Sequence, residues 1–214
     1  MRTIDVEFDR QRDALLAKGY PAIVGMSRDR LTACIEPLRD IAHEGASRFA
    51  QANTTSHAPF VLVVAAALAR AEDLVPATHL PGGSAPGIVD RNHGADGLAS
   101  YLPIAELEVP ASPVYLLVDV ERGEEFCGIR PAEALPEILE RGRTPLTIHE
   151  GIALVTQFPG MLEKSRCFML AGSRRGDRRV PAMWISGKAP KLGWCWDGNP
   201  HSWLGTASAG SRAA

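Results

Sequence analysis

Apolar residues recur at helical spacing early in the chain and at strand spacing late in it. Phe8, Leu15 and Leu16 share one helical face, with Gly19 placed as a left-handed cap and Pro21 as a stop. Ser27 suits the N-cap of a second helix carrying Leu31, Cys34, Ile35 and Leu38, which Pro37 should bend or divide. Small and polar residues from Ala46 to His57 predict a connection. The apolar run from Phe60 to Leu68 then predicts a buried strand, although its alanine-rich end would also suit a helix. Glycine and proline crowd the stretch from Pro76 to Gly97, which predicts a long exposed loop.

VYLLVDV, Val114 to Val120, is the clearest strand, followed by a polar turn at ERGEE. Pro131 suits the first position of a helix with Ala134, Leu135, Ile138 and Leu139 on its apolar stripe and Gly142 at its end, against which Pro136 argues. Thr147 and Glu150 have capping-box spacing, predicting a helix over 148–158 that Pro159 ends. Arg166 to Leu170 and Val180 to Ile185 read as strands around the turn-rich GSRRGDRR. Early helices, central strands with two further helices, and a C-terminal antiparallel β unit predict an α+β fold rather than repeated βαβ units. The expected organisation is a single unit over 1–214: a helical segment 1–57, an α+β body 58–207 and a frayed tail 208–214.

Several long phrases, GRTPLTIHEGIALVTQFP, GSRRGDRRVPAMWIS and APKLGWCWDGNPHSWLG, resemble a family of actinobacterial proteins catalogued as a domain of unknown function. PFVLVV and YLLVDVERGEEF fit the same family, so the resemblance covers most of the chain after residue 58. It implies a bacterial cytosolic setting and carries no activity.

Composition narrows the function classes. In 214 residues with 45% apolar content there is enough to bury a sizeable core. The formal charge of −2 lacks the basic excess of a phosphate-backbone binder, which argues against nucleic acid. The longest apolar run, Phe60 to Ala69, falls well short of the roughly 18–20 residues that cross a bilayer. The charged N-terminus has no apolar leader core, and Cys34, Cys127, Cys167 and Cys195 show no C-x-x-C spacing, so a cytoplasmic protein with free thiols is expected.

The candidate chemistry concentrates in the last quarter. If Asp197-Gly198-Asn199-Pro200 closes a hairpin, Trp194 opposes Trp203 and Trp196 opposes His201, placing all four rings on one face and Cys195 with Ser202 on the other. That face could stack a planar ring, with Lys191, Asn199 and His201 as polar contacts. Arg174 and Arg175 in RRGDRR offer planar forks for phosphate or carboxylate. A binding or interaction protein that presents Arg174, Arg175, Lys191, Trp194, Trp196, Asn199, His201 and Trp203 to a small anionic or aromatic ligand, or to a protein partner, is therefore expected. The alternative is an enzyme using Cys195, His201, Asp177 or Lys191 in a cleft beside the 76–97 loop. His43, His57, His79, His93, His149 and His201 show no ligand spacing; only His79, Asp90, His93 and Asp96 could converge, and His149 reads as a surface helix residue. PGGSAPG lacks the lysine of a phosphate loop and Ser173 lacks the second glycine of a nucleophile elbow, so no metal or cofactor is implied.

Overall fold

The computed structural model describes residues 4–46 and 55–214. Most of the connection expected at 46–57 lies outside the described residues. Helix α1 (Ile4–Ala17) turns Ile4, Phe8, Gln11 and Leu15 inward, and the chain leaves it through Gly19 at φ +80°. That backbone would cost an L side chain roughly 1–2 kcal/mol. Pro21 does not stop the chain here; it sits in the first turn of the short α2 (Tyr20–Ile23), where its missing N–H has no helical partner to lose. Ser27 caps α3 (Arg28–Ile35), its Oγ accepting the Arg30 N–H at 3.2 Å. Pro37 falls between α3 and α4 (Leu38–Ala46), dividing the predicted helix in two.

Along the rest of the chain run β1 (His57–Val64), α5 (Ala71–Leu74), β2 (Ile88–Val89), β3 (Leu102–Pro103), β4 (Val114–Glu121) and α6 (Pro131–Glu140). They are followed by β5 (Thr144–Pro145), α7 (Ile148–Gln157), β6 (Cys167–Met169), β7 (Ser173–Arg174), β8 (Arg179–Ser186), β9 (Ala189–Trp196), β10 (Leu204–Thr206) and β11 (Ser208–Ala213). The fold is α+β. One antiparallel sheet has the order β1-β4-β11-β5. The other, β10-β6-β8-β9-β2, is antiparallel at its centre and parallel at both edges, and β3 pairs separately with β7.

The C-terminus, expected to fray, is instead an inner strand. β10 and β11 form nearly continuous chain that leaves the second sheet at Thr206 and inserts between β4 and β5 of the first. Ser208 and Ala209 are buried there. Small residues suit this position because both ladders of β11 must close at once; their low hydrophobicity made them read as a tail.

β1 is an edge strand, and α1 covers its open side. The buried Gln11 amide donates to Phe60 O at 2.9 Å while its carbonyl accepts the Leu62 N–H at 2.8 Å, so the edge is satisfied by a side chain. α7 lies buried along nearly its whole length. Its capping box is present, with Thr147 N–H donating to Glu150 at 2.7 Å, and Phe158 forms its C-cap just before Pro159. Gly151 lets α7 approach the second sheet, since a Cβ there would lie 2.3 Å from Leu170 Cδ2.

Two expected surface segments are partly buried. In ERGEE, Arg122 is fully enclosed, donating to Met161 O at 3.1 Å and pairing with Glu124 and Glu163. Gly123, at φ +76°, permits this by admitting the Thr206 backbone where a Cβ would stand. The 76–97 loop carries short 3-10 turns and β2, and it buries Ala77, Thr78 and His93.

Candidate functional site

The predicted tryptophan hairpin does not form. β9 pairs instead with β8 through the two-residue turn Gly187-Lys188, both with positive φ, so Trp196 opposes Arg179, Cys195 opposes Val180 and Trp194 opposes Pro181. The chain after Trp196 returns toward β6, where β10 runs parallel. Alternation then puts Trp194 and Trp196 on one face of β9, and Lys191 with Cys195 on the other. The strand-like runs RVPAMWI and PKLGWCW on either side of Ser186-Gly187-Lys188-Ala189 were the available signal for the true hairpin.

This rearrangement separates the predicted site residues. Trp194 and Trp196 pack edge to face at 4.8 Å, and the Arg179 guanidinium lies over them at 4.6 and 5.8 Å. Trp194 Nε1 donates to Asn92 O at 2.8 Å, and Trp196 remains 44% exposed. Trp203 packs against the core beside His201, with ring centroids 5.4 Å apart. Lys191 pairs with Asp90 at 3.3 Å and lies beside Trp184, away from the two stacked indoles. Asn199 is an exposed turn residue whose N–H donates to Trp196 O.

The arginines are mostly committed to local partners. Arg175 donates to His93 O and pairs with Asp177 at 3.3 Å, while Arg178 pairs with Asp197 at 2.8 Å. Asp177 also accepts the Arg179 N–H at 2.9 Å and so anchors the turn. Arg174 alone among Arg174, Arg175, Arg178 and Arg179 has no ion-pair partner among the described residues; it is half-buried, and burial lowers its pKa. Burial pushes the Cys195 thiol up to about 11, which disfavours its thiolate near neutral pH. Among the described residues no cluster of His, Cys, Asp or Glu is placed to hold a metal ion, and His79 is occupied with Ala77 O at 3.1 Å.

A cavity of about 240 Å³ opens elsewhere, at the head of α7. Its mouth is formed by Ala66, Arg70, Ala99 and Leu102, and its inner wall by Leu98, Tyr101, Tyr115, Thr147, Ser173 and His149. Such a volume exceeds the roughly 150 Å³ that can enclose a benzene ring. Most inner polar groups are already satisfied. Tyr115 Oη donates to Glu150 at 3.0 Å, Ser173 Oγ accepts the Ile148 N–H at 3.1 Å, and Thr147 Oγ1 belongs to the capping box. The Tyr115 phenol is held neutral by burial and by the Glu150 carboxylate.

The buried Tyr101 hydroxyl, which has no hydrogen-bond partner among the described residues, and His149 are the exceptions. The α7 cap sets His149 in the helix's first turn, from which its Nε2 reaches Ala69 O at 3.0 Å. A carbonyl only accepts, so Nε2 carries the hydrogen and Nδ1 carries a lone pair with no partner among the described residues. Burial lowers the imidazole pKa despite Glu150 and Glu72 nearby, which keeps it neutral at pH 7. His149 is thus a half-buried wall residue of the cavity rather than the surface residue that spacing suggested. The capping box located it on its helix; nothing in the local pattern revealed that residues 66–72, 98–103 and 173 would close around it.

Two layers of sheet, a buried central helix and a small-molecule-sized cavity at that helix's start define an α+β protein with a preformed pocket. The chain belongs to DUF5701, a family of unknown function, which it matches over residues 14–214. No curated protein and no solved structure matches it. No helix among the described residues is long and apolar enough to cross a membrane.

Proposed function

We propose that this is a small-molecule-binding protein whose ligand occupies the cavity at the head of α7. The observation that carries this reading is a mostly apolar cavity of about 240 Å³ whose wall holds an uncommitted, oriented acceptor, His149 Nδ1. The Trp194–Arg179–Trp196 stack supports a ligand site less well, because its guanidinium already covers both indoles. Four free cysteines suit a reducing cytoplasm, in keeping with a bacterial setting. The enzyme alternative also moves to this cavity, since a neutral oriented imidazole is what a general base requires.

Toluene titrated into ¹⁵N-labelled protein tests the reading. Saturable shifts are expected at the amides of Leu98 to Tyr101 and Thr147 to Glu150, and Ala99→Trp, which plugs the mouth from an exposed position, is expected to abolish them. Absence of saturable shifts in the parent protein, or shifts that survive the plug, would overturn it.

A further inference from the structure

We infer that His149 determines specificity in the cavity by accepting a hydrogen bond, so that the ligand is a neutral, largely apolar molecule with one O–H or N–H donor on its buried end. This rests on the cavity being the binding site. Three observations converge on it. The Ala69 carbonyl fixes the tautomer, leaving Nδ1 as an acceptor that can take a hydrogen and cannot give one. Of the other inner polar groups, Tyr115 donates to Glu150, Ser173 accepts from Ile148 and Thr147 belongs to the cap, while the Tyr101 hydroxyl is buried without a hydrogen-bond partner among the described residues. The charges nearby disfavour an anion, because Glu72 lines the wall, the Glu150 carboxylate lies directly behind it, and the one cation at the mouth, Arg70, is 71% exposed and shared with Glu72 at 3.5 Å. A cation would leave water for walls made of Ala71, Leu98, Tyr101 and Val109 with only Glu72 to offset the cost, and that carboxylate already pairs with Arg70 and accepts the Leu98 N–H at 3.0 Å.

A ligand lacking the donor would bury the Nδ1 lone pair unsatisfied, and the loss of that hydrogen bond sets the discrimination. Phenol and anisole differ only in whether the oxygen carries a hydrogen, so they isolate it. Phenol is expected to bind about five- to tenfold tighter than anisole, with the preference reduced to about onefold in His149→Leu. His149→Gln, which can still donate to Ala69 O and offer a carbonyl inward, is expected to restore part of it.

A second readout avoids any dependence on how the variants fold. In the parent protein phenol affinity is expected to fall as the pH drops well below 6.5, because protonating Nδ1 turns the acceptor into a donor, while anisole affinity stays level. Glu72 and Glu150 are the carboxylates facing the ring, and each favours the ring's protonated form against the effect of burial. Equal binding of the two probes with no pH dependence would overturn the inference while leaving the cavity reading intact. Failure of both probes to bind would overturn the cavity reading itself.

Discussion

Glu150 is a fully buried carboxylate that accepts from the Thr147 N–H, the Tyr115 hydroxyl and the Nε and Nη2 of Arg212 at 2.6 and 2.8 Å. One side chain therefore caps α7, orders a cavity wall and pins β11. Removing one partner of a buried pair leaves the other charge uncompensated, so Glu150→Gln is expected to cost about 3–5 kcal/mol in urea unfolding; a loss under about 1 kcal/mol would refute this account. Asp119 is the opposite case, a residue held in an uncommon backbone at φ +58° in mid-strand. Its strand neighbours accommodate it: Pro59 on one side has no N–H to offer, and Gly210 on the other has no Cβ, which would come within 3.1 Å. His57 at 2.7 Å and Arg143 at 2.5 Å lower its pKa against the opposing effect of burial. At Cys195, burial alone predicts chemistry. Iodoacetamide at pH 8 is expected to label it at least about tenfold more slowly in native protein than in urea, read by peptide mass spectrometry; equal rates would mean the thiol is exposed.

At the scale of elements, local signals and long-range pairing divide cleanly. Ser27, Pro37, Pro131 and the Thr147–Glu150 pair act within a few residues, and each does what its local chemistry dictates. β11 has no such signal. SAGSRA is small and polar, yet it closes ladders with β4 and β5 and delivers Arg212 to Glu150. Deleting residues 208–214 is therefore expected to abolish cooperative thermal unfolding, since it opens the first sheet and leaves the Glu150 charge buried alone. A truncated protein that still unfolds in one sharp transition would show that β11 is peripheral. The hairpin follows the same division: Gly187-Lys188 is a sound two-residue turn, but Asp197-Gly198-Asn199 carried the stronger turn composition.

The whole molecule couples folding to pH through two histidines, His93 and His149. His93 is buried against the Tyr101 ring at 5.5 Å and His149 lines the cavity that Tyr101 walls; burial lowers the pKa of each below 6.5. The unfolded chain then binds more protons than the native one as pH falls through 6.5, so the stability these groups contribute is complete above that pH and declines below it. The slope is at most about 1.4 kcal/mol per pH unit for each group. Asp90 and Asp119, held below 3.8, lose their contribution only in more acidic solution. Urea midpoints are expected to fall between pH 7 and pH 5, with a shallower fall in the His93→Phe, His149→Gln double variant; an unchanged slope would place the titration elsewhere.

What the sequence determined by itself is the content and order of local elements. Helix caps, proline breaks and the two apolar strands, read at 60–68 and 114–120 and found at 57–64 and 114–121, depend on forces that act within a turn or along one strand, and the α+β class follows from their order. Tertiary structure decided which strand β9 would join, that the small polar C-terminus would become an inner strand, and that His149 would face a cavity. Each of these depends on contacts between residues tens of positions apart. A local pattern records which faces are apolar, but it holds no record of the partner that will cover them.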